Sequence, residues 1–353
     1  MKRHKICKII LAILAVFLCV AFYELIGICI TYKKQPAVSD ATIKETQNIM
    51  SVAGRENTER AVIIEKNSQA LLERVRLIQN AKDEIILSTF AFKSDESGKL
   101  ILGALHDAAD RGVHVRILVD GMESWIDMEG NPYFYGLSSH ENVEIKLYNK
   151  ANPLKPWKTM GRMHDKYLIA DGKIYILGGR NTYNYFLGDF PGHKNFDRDV
   201  LVVCDEPQKD NSVNQLWNYF ETIWEQEDCR YFHNSKKLAD RQSVKKAVLE
   251  LQEGYQQYFE VNKEKICDTD YADETFETEK ITLLSNPIHT QAKEPVVWYQ
   301  LGELMKNAKE RVKIHTPYII CNDMMYNTWE EIAQKVPDLS LIHISEPTRL
   351  GMI

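Results

Sequence analysis

The sequence has few cysteines and no excess of positive charge, and both features exclude some classes of protein. Seven cysteines in 353 residues are too few for a disulfide scaffold. Cys204, Cys229, Cys267 and Cys321 show neither C-x-x-C spacing nor a metal-ligand pattern with histidine, so we expect buried free thiols. The formal net charge of -6 gives no overall attraction to nucleic acid, which is therefore not an expected partner.

The remaining composition describes an ordinary globular protein. Hydrophobic residues make up 44% and charged residues 27%, which is typical of a folded chain and not of a disordered one. A length of 353 residues is enough for two domains of ordinary size.

The N-terminus carries a long apolar run. Residues 1–8 are basic, and residues 9–32 are apolar with Glu24 as the only charge. A run of this length can cross a bilayer as a helix. No small-x-small cleavage site closes it, and Ile28 precedes Cys29 where a lipid-attachment motif needs a small residue. The pattern therefore predicts an uncleaved transmembrane anchor at 9–32.

The flanking charges predict how this anchor is oriented. Four basic residues precede the run and two follow it: Lys2, Arg3, Lys5 and Lys8 against Lys33 and Lys34. The positive-inside rule then predicts a single-pass protein of the cell membrane with its globular part extracytoplasmic. A lone acid near the end of such a run more often lies at the interface than in a functional contact.

The segment after the anchor indicates a layered α/β domain. Residues 33–60 are polar and predict a tether, after which a first domain is expected at 61–265. Strand, helix and strand patterns follow one another at Glu84–Phe92, Ser97–Arg111 and Val113–Val119, which is typical of parallel strands covered by helices. Loop-rich sequence is expected at 122–142.

The C-terminal part begins to repeat the first domain. An acidic linker is expected at 266–280, and residues 281–342 show the same helix-strand-helix-strand order. Val312–Thr316 aligns with Ile85–Thr89 without a gap, which predicts an incomplete second copy.

The strongest motif is a predicted β-hairpin. A strand at Lys166–Ala170, an Asp171-Gly172 turn and a strand at Lys173–Leu177 lead into Gly178-Gly179-Arg180-Asn181. Because side chains alternate along a strand, His164 and Lys166 should face the same side. An imidazole can attack phosphorus while an ammonium and an amide hold the phosphate oxygens.

This H-x-K-x-x-x-x-D followed by G-G-x-N resembles the motif of the phospholipase D superfamily. The runs GGRNTYNYFLGD and ERVKIHTPYI are similar to the bacterial cardiolipin synthase branch, over about residues 60–340. The resemblance implies an α/β fold with a mixed sheet flanked by helices, here one complete repeat plus the start of a second. It implies no metal or other cofactor.

The resemblance also implies roles for individual residues. His164, Lys166 and Asp171 match the catalytic motif, with Lys166, Gly179 and Asn181 expected to bind the substrate phosphate. From the residues alone, Asp171 is expected to hold the hairpin turn instead.

One further acid has two possible roles. Asp199 matches the acid that orients the imidazole in this family, and the alternative is that it caps its loop.

The implied reaction is a phosphatidyl transfer at the membrane. One phosphatidylglycerol would donate its phosphatidyl group through a phosphohistidine at His164 to a second, releasing glycerol. Two alternatives stay open: a phosphodiesterase acting as lipid hydrolase or nuclease, and an inactive fragment. The oligomeric state is left open by the sequence.

Bilobal members of the superfamily use two such motifs, one histidine attacking and the other protonating the leaving alcohol. A second motif would fall about 75 residues after Thr316, beyond Ile353, and His343-Ile344-Ser345 lacks the lysine. We therefore expect a longer natural protein and a non-native tail at 343–353. His164 is assigned as nucleophile by family order, and the reverse assignment stays open.

Overall fold

The computed structural model describes residues 2–51, 59–316 and 320–343. The chain divides into two compact units. The larger comprises residues 1–33, 54–283 and 288–291, and the smaller comprises residues 34–53, 284–287 and 292–353.

The larger unit contains most of the helices and strands. In chain order they are α1 Lys2–Tyr32, β1 Arg60–Ile64, α3 Asn67–Asn80, β2 Glu84–Thr89, α4 Glu96–Asp110, β3 His114–Asp120, α5 Glu123–Asp127, α6 Pro132–Ser138, β4 Val143–Tyr148, β5 Tyr167–Ala170, β6 Ile174–Gly178, β7 Asp199–Val203, α7 Ser212–Trp224, β8 Cys229–Tyr231, α8 Lys236–Ala239, α9 Gln242–Ile266 and β9 Phe276–Glu277; α2 Asp40–Ser51 belongs to the smaller unit.

These strands form one nine-stranded sheet in the order β8-β4-β3-β2-β5-β6-β7-β1-β9. β2, β3 and β4 run parallel to one another, and the remaining pairs are antiparallel. The predicted mixed sheet flanked by helices is confirmed.

Both faces of the sheet are buried. Ile85, Leu87 and Leu168 belong to a core with residues of α3, α4, α6 and α9, whereas Ile86 and Ile169 belong to a core with residues of α7. Strand side chains alternate between faces, so a strand buried on both sides needs apolar residues at nearly every position. This explains the continuous apolar runs in β2, β3 and β5.

One edge of the sheet collects several strand ends. The parallel strands β2, β3 and β4 finish there, while the antiparallel β5 begins there. β6 also ends at this edge and β7 begins there. This edge, called below the C-terminal edge, therefore carries residues 164–166, Gly179–Asn181 and Asp197–Asp199.

The smaller unit contains α2, α10 Val296–Lys306, β10 Arg311–Thr316, α11 Asp323–Lys335 and β11 Asp338–His343. β10 and β11 pair in parallel around α11, and Trp298 and Trp329 pack their rings 5.3 Å apart. The expected helix-strand-helix-strand order is present.

Among the described residues, one helix is long and apolar enough to cross a membrane. It spans Lys5–Tyr32 within α1, with a mean hydropathy of 2.8 over its most apolar window. This is compatible with the expected single anchor.

Several local expectations were wrong. The predicted tether contains α2, and the predicted loop at 122–142 contains α5 and α6. The helix α6 begins where the Asn131 side chain accepts a hydrogen bond from Tyr133 N and Pro132 occupies the first turn. Cys267 and Cys321 are exposed thiols, not buried ones.

The acidic segment predicted as a linker is part of the larger unit and packs within it. Its β9 strand pairs with β1, and Tyr271 is buried. The buried Arg76 guanidinium donates to the carbonyls of Asp268 and Asp270, which fixes the segment by charge-assisted hydrogen bonds.

Candidate active site

The hairpin predicted from the motif is present. Tyr167 pairs with Leu177 and Ala170 with Ile174. Asp171 and Gly172 have φ angles of 52° and 60°, the two positive values that a tight type I′ turn requires.

The motif aspartate stabilises this turn. Its carboxylate accepts hydrogen bonds from the backbone N–H of Lys82, Asp83 and Glu84 at 2.9, 2.8 and 3.0 Å. Asp171 lies at the opposite end of β5 from His164, so the structure does not bring it to the other motif side chains. Its contacts are those of a turn-holding residue and not of a catalytic one.

His164 and Lys166 converge on one aromatic ring. The imidazole centroid lies 4.6 Å from the Phe90 centroid, and the Lys166 Nζ lies 5.4 Å from the same centroid. Nζ donates to the His164 carbonyl at 2.5 Å. Lys166 is 6% exposed, whereas His164 is open to solvent and accessible to a substrate.

Asn181 is held close to the same segment. Its Oδ1 accepts from the N–H of Ala91 at 3.1 Å, so the Nδ2 group is the one left to donate. The backbone of Thr182 donates to the carbonyl of Ala91 at 3.1 Å, which fixes Asn181 beside the end of β2. The imidazole, ammonium and carboxamide thus surround residues 90–91.

The paired glycines make room for two carboxylates. A Cβ on Gly178 would lie 2.0 Å from Asp199 Oδ1, and one on Gly179 would lie 2.0 Å from Asp197 Oδ2. Such separations are far inside van der Waals contact, so both positions exclude a side chain. Gly179, expected to bind the phosphate, lies against Asp197.

Asp199 is paired with two arginines. Its Oδ2 lies 2.9 Å from Arg74 and 3.2 Å from Arg180, and none of the three side chains is more than 5% exposed. Among the described residues its partners are these guanidinium groups and not His164. The structure therefore does not bring the expected orienting acid to the imidazole.

Sequence reasoning missed both arginines. Arg74 lies three residues after Leu71, on the side of α3 that its apolar residues predict to be buried. A charged side chain at such a position indicates a buried partner of opposite charge. Arg180 occupies the variable position of G-G-x-N, where the motif gives no signal. It also donates to Asn67 Oδ1 at 3.1 Å and to the Glu65 carbonyl at 2.6 Å.

Burial sets the protonation of the site. It lowers the pKa of Lys166 to about 8, against the opposing charges of Asp165 and Asp197. Partial burial and the nearby Lys166 ammonium lower the pKa of His164 below its ordinary value. At neutral pH the imidazole is therefore neutral and nucleophilic, while most of the lysine is still charged.

Comparisons with known proteins identify what the chain is similar to. Residues 75–224 match the family model described as "Cardiolipin synthase, PLD-like domain". An uncharacterized protein of Helicobacter pylori is 26% identical over 81% of this chain and 59% of its own length. Cardiolipin synthase C of Escherichia coli is 29% identical over 40% of this chain and 31% of its own length. The chain thus spans less than two thirds of these relatives.

A solved structure supports the fold. That of phosphatidylserine synthase from Haemophilus influenzae gives a TM-score of 0.55 at 14% identity, covering 86% of this chain and 66% of the other. At that identity the likeness concerns the fold alone. The family match covers the segment that carries the motif, so this domain is similar to the phospholipase D-like domain of the cardiolipin synthases.

Proposed function

We propose that this protein is a membrane-anchored phosphatidyltransferase of the cardiolipin synthase type, which uses His164 as its nucleophile. The observation that carries the proposal is the convergence of His164 and Lys166 on Phe90, with Asn181 held beside the same segment. A neutral imidazole next to a cation suits attack on a phosphodiester, whose negative charge the cation stabilises.

In the first half-reaction an imidazole nitrogen attacks the phosphorus of phosphatidylglycerol. A P–N bond forms, the P–O bond to glycerol breaks, and the departing oxygen takes up a proton from the solvent to which His164 is open. In the second half-reaction the hydroxyl of another phosphatidylglycerol gives its proton to solvent as its oxygen attacks phosphorus. The P–N bond then breaks, and cardiolipin leaves a neutral imidazole behind.

Lys166 and Asn181 stabilise the charge that builds on the non-bridging oxygens. The lysine is a desolvated cation, and a charge–charge interaction is stronger in such surroundings than in water. The Asn181 Oδ1 is already bonded to Ala91, so the amide presents its donor without further ordering.

The lipid substrate is proposed on two grounds. The N-terminal helix is compatible with a membrane anchor, and the domain is similar to the PLD-like domain of cardiolipin synthases. An anchor holds the site at a surface where a phospholipid is concentrated.

Product analysis tests the proposal. The purified protein is placed in vesicles that contain phosphatidylglycerol labelled in its acyl chains, and the labelled products are separated. Cardiolipin is expected from the unaltered protein and from His114→Ala, an exposed histidine at the start of β3, but not from His164→Ala. Phosphatidic acid as the main product would overturn the transferase proposal in favour of a hydrolase, and full activity in His164→Ala would overturn the nucleophile.

A further inference from the structure

The segment between β4 and the motif contacts the N-terminal helix, and neither the fold nor the proposed chemistry explains why. This segment, residues 152–161, contains a short 3₁₀ turn at Pro156–Lys158. It belongs to the larger unit, as does α1.

Loop 152–161 and α1 fit together closely. A Cβ on Gly27 would lie 2.5 Å from Pro156 Cγ, so glycine is needed for this approach. Thr159 Oγ1 donates to Glu24 Oε2 at 2.9 Å. The only charge of the apolar run is therefore satisfied by the loop, which lowers the cost of keeping a carboxylate there.

The end of α1 is held a second time beyond the loop. Tyr32 donates its hydroxyl proton to the carbonyl of Thr290 at 2.9 Å, and Gly161 packs against Thr290 so closely that a Cβ would lie 2.4 Å from its Cα. Loop 152–161 thus lies beside the last turns of the helix, between Glu24 and Tyr32. At 1.5 Å per residue this is about 12 Å of its length, comparable with an interfacial layer.

The outer surface of the loop is apolar. Leu154, Trp157 and Met160 are 77%, 40% and 58% exposed, and the exposed Lys155 lies between the first two. Val261, which is 84% exposed, lies by contrast within the helix α9. A tryptophan and a lysine next to aliphatic side chains are typical of protein at the interface of a bilayer with anionic lipids.

The loop is rigidly connected to the site. Arg162 follows it and pairs with the buried Asp120 at 3.1 Å, and Met163 N donates to the other oxygen of Asp120 at 3.1 Å. His164 comes next in the chain, so the position of the loop sets the height of the imidazole above the surface.

We propose that loop 152–161 inserts into the lipid surface beside α1, with Leu154, Trp157 and Met160 entering the bilayer. Lys155 contacts anionic headgroups, and the C-terminal edge of the sheet is held at the level of lipid phosphates. This inference rests on the proposed function only in taking the bilayer as the place of action.

Spin labels measure the insertion without relying on activity. A nitroxide on p-acetylphenylalanine is introduced at Leu154 or Met160 of the full chain, and at Val261 as a matched exposed control. The proteins are reconstituted in vesicles of phosphatidylglycerol and phosphatidylethanolamine. The ratio of oxygen to nickel-complex collisions is expected to be several-fold higher at 154 and 160 than at 261. Equal ratios at the three positions would overturn the proposal.

A pair of variants tests what the insertion does. Leu154→Asp is expected to lower turnover of phosphatidylglycerol in vesicles about fivefold and to leave turnover of dispersed dibutyryl-phosphatidylglycerol unchanged, because only the former needs the loop in lipid. Val261→Asp should change neither. An equal loss on both substrates in Leu154→Asp would contradict a surface-docking role. If the unaltered protein turned over neither substrate, the proposed function would fail while the spin-label result still decided the insertion.

Discussion

Replacing Lys166 by methionine should abolish activity and stabilise the fold. The side chain is 6% exposed, its Nζ donates to the His164 carbonyl, and burial lowers its pKa from 10.5 to about 8. Each pKa unit corresponds to about 1.4 kcal/mol, so holding the ammonium charged at pH 7 costs about 3 kcal/mol.

The loss of one hydrogen bond reduces the stability that Lys166→Met gains. Methionine has similar volume and no charge, but it loses the hydrogen bond to the His164 carbonyl, worth about 1 kcal/mol. The free energy of unfolding should therefore rise by about 2 kcal/mol, which raises the melting temperature by about 4–8 °C for a domain of this size.

Tryptophan fluorescence during heating of the full chain in detergent measures this shift. Lys173→Met, at the exposed end of the same hairpin, is the control and should change little. The gain in the free energy of unfolding of Lys166→Met over the unaltered protein should be largest below pH 8. It should disappear as pH rises from about 8 towards 10.5. The reason is that the unfolded chain binds more protons than the native one over this range, so the unaltered protein gains stability there. A variant that melts lower than the unaltered protein at pH 7 would refute this reasoning.

Three further predictions concern the site. Turnover should rise with pH through the lowered pKa of His164, which must be neutral, and fall above about 8 as Lys166 loses its proton; initial rates across pH measure both limbs. Asp199→Asn should lower the free energy of unfolding by about 3–5 kcal/mol, since it leaves two buried guanidinium groups without a carboxylate; urea unfolding measures the loss. Gly178→Ala should lower the melting temperature because its Cβ meets Asp199, whereas Gly254→Ala within α9 meets nothing within 4 Å and should add up to about 1 kcal/mol.

Each of these has an outcome that contradicts it. A pH–rate profile without a fall near pH 8 would mean that Lys166 is not needed as a cation. Unchanged stability in Asp199→Asn would mean that the carboxylate does not hold the two arginines. Equal melting temperatures for the two glycine variants would mean that the Gly178–Asp199 contact is not close.

The parts of the fold that depend on neighbouring residues could be predicted. The Asp171-Gly172 turn and the strands that flank it follow from local backbone preferences, which explains why the hairpin was identified from sequence. His164 and Lys166 lie just before β5, so their approach to each other depends also on Phe90, which follows β2.

The parts of the fold that depend on residues far apart in the sequence could not be predicted. Asp199 is paired with Arg74, which is on a helix far away in sequence, and no short-range pattern relates the two. The segment at 266–280 looks like a linker by its charge, but the buried Arg76 attracts it onto the domain. In both cases a buried guanidinium determines the outcome, and its partner becomes evident only when the sheet and helices are assembled.

Mass spectrometry of the trapped intermediate tests most directly whether His164 itself attacks phosphorus. The protein is mixed with phosphatidylglycerol, quenched at alkaline pH, where a phosphohistidine survives, and digested. A phosphatidyl adduct is expected on His164, absent from His164→Asn and retained in His114→Asn. Turnover without an adduct on His164, or with the adduct on another residue, would contradict the account.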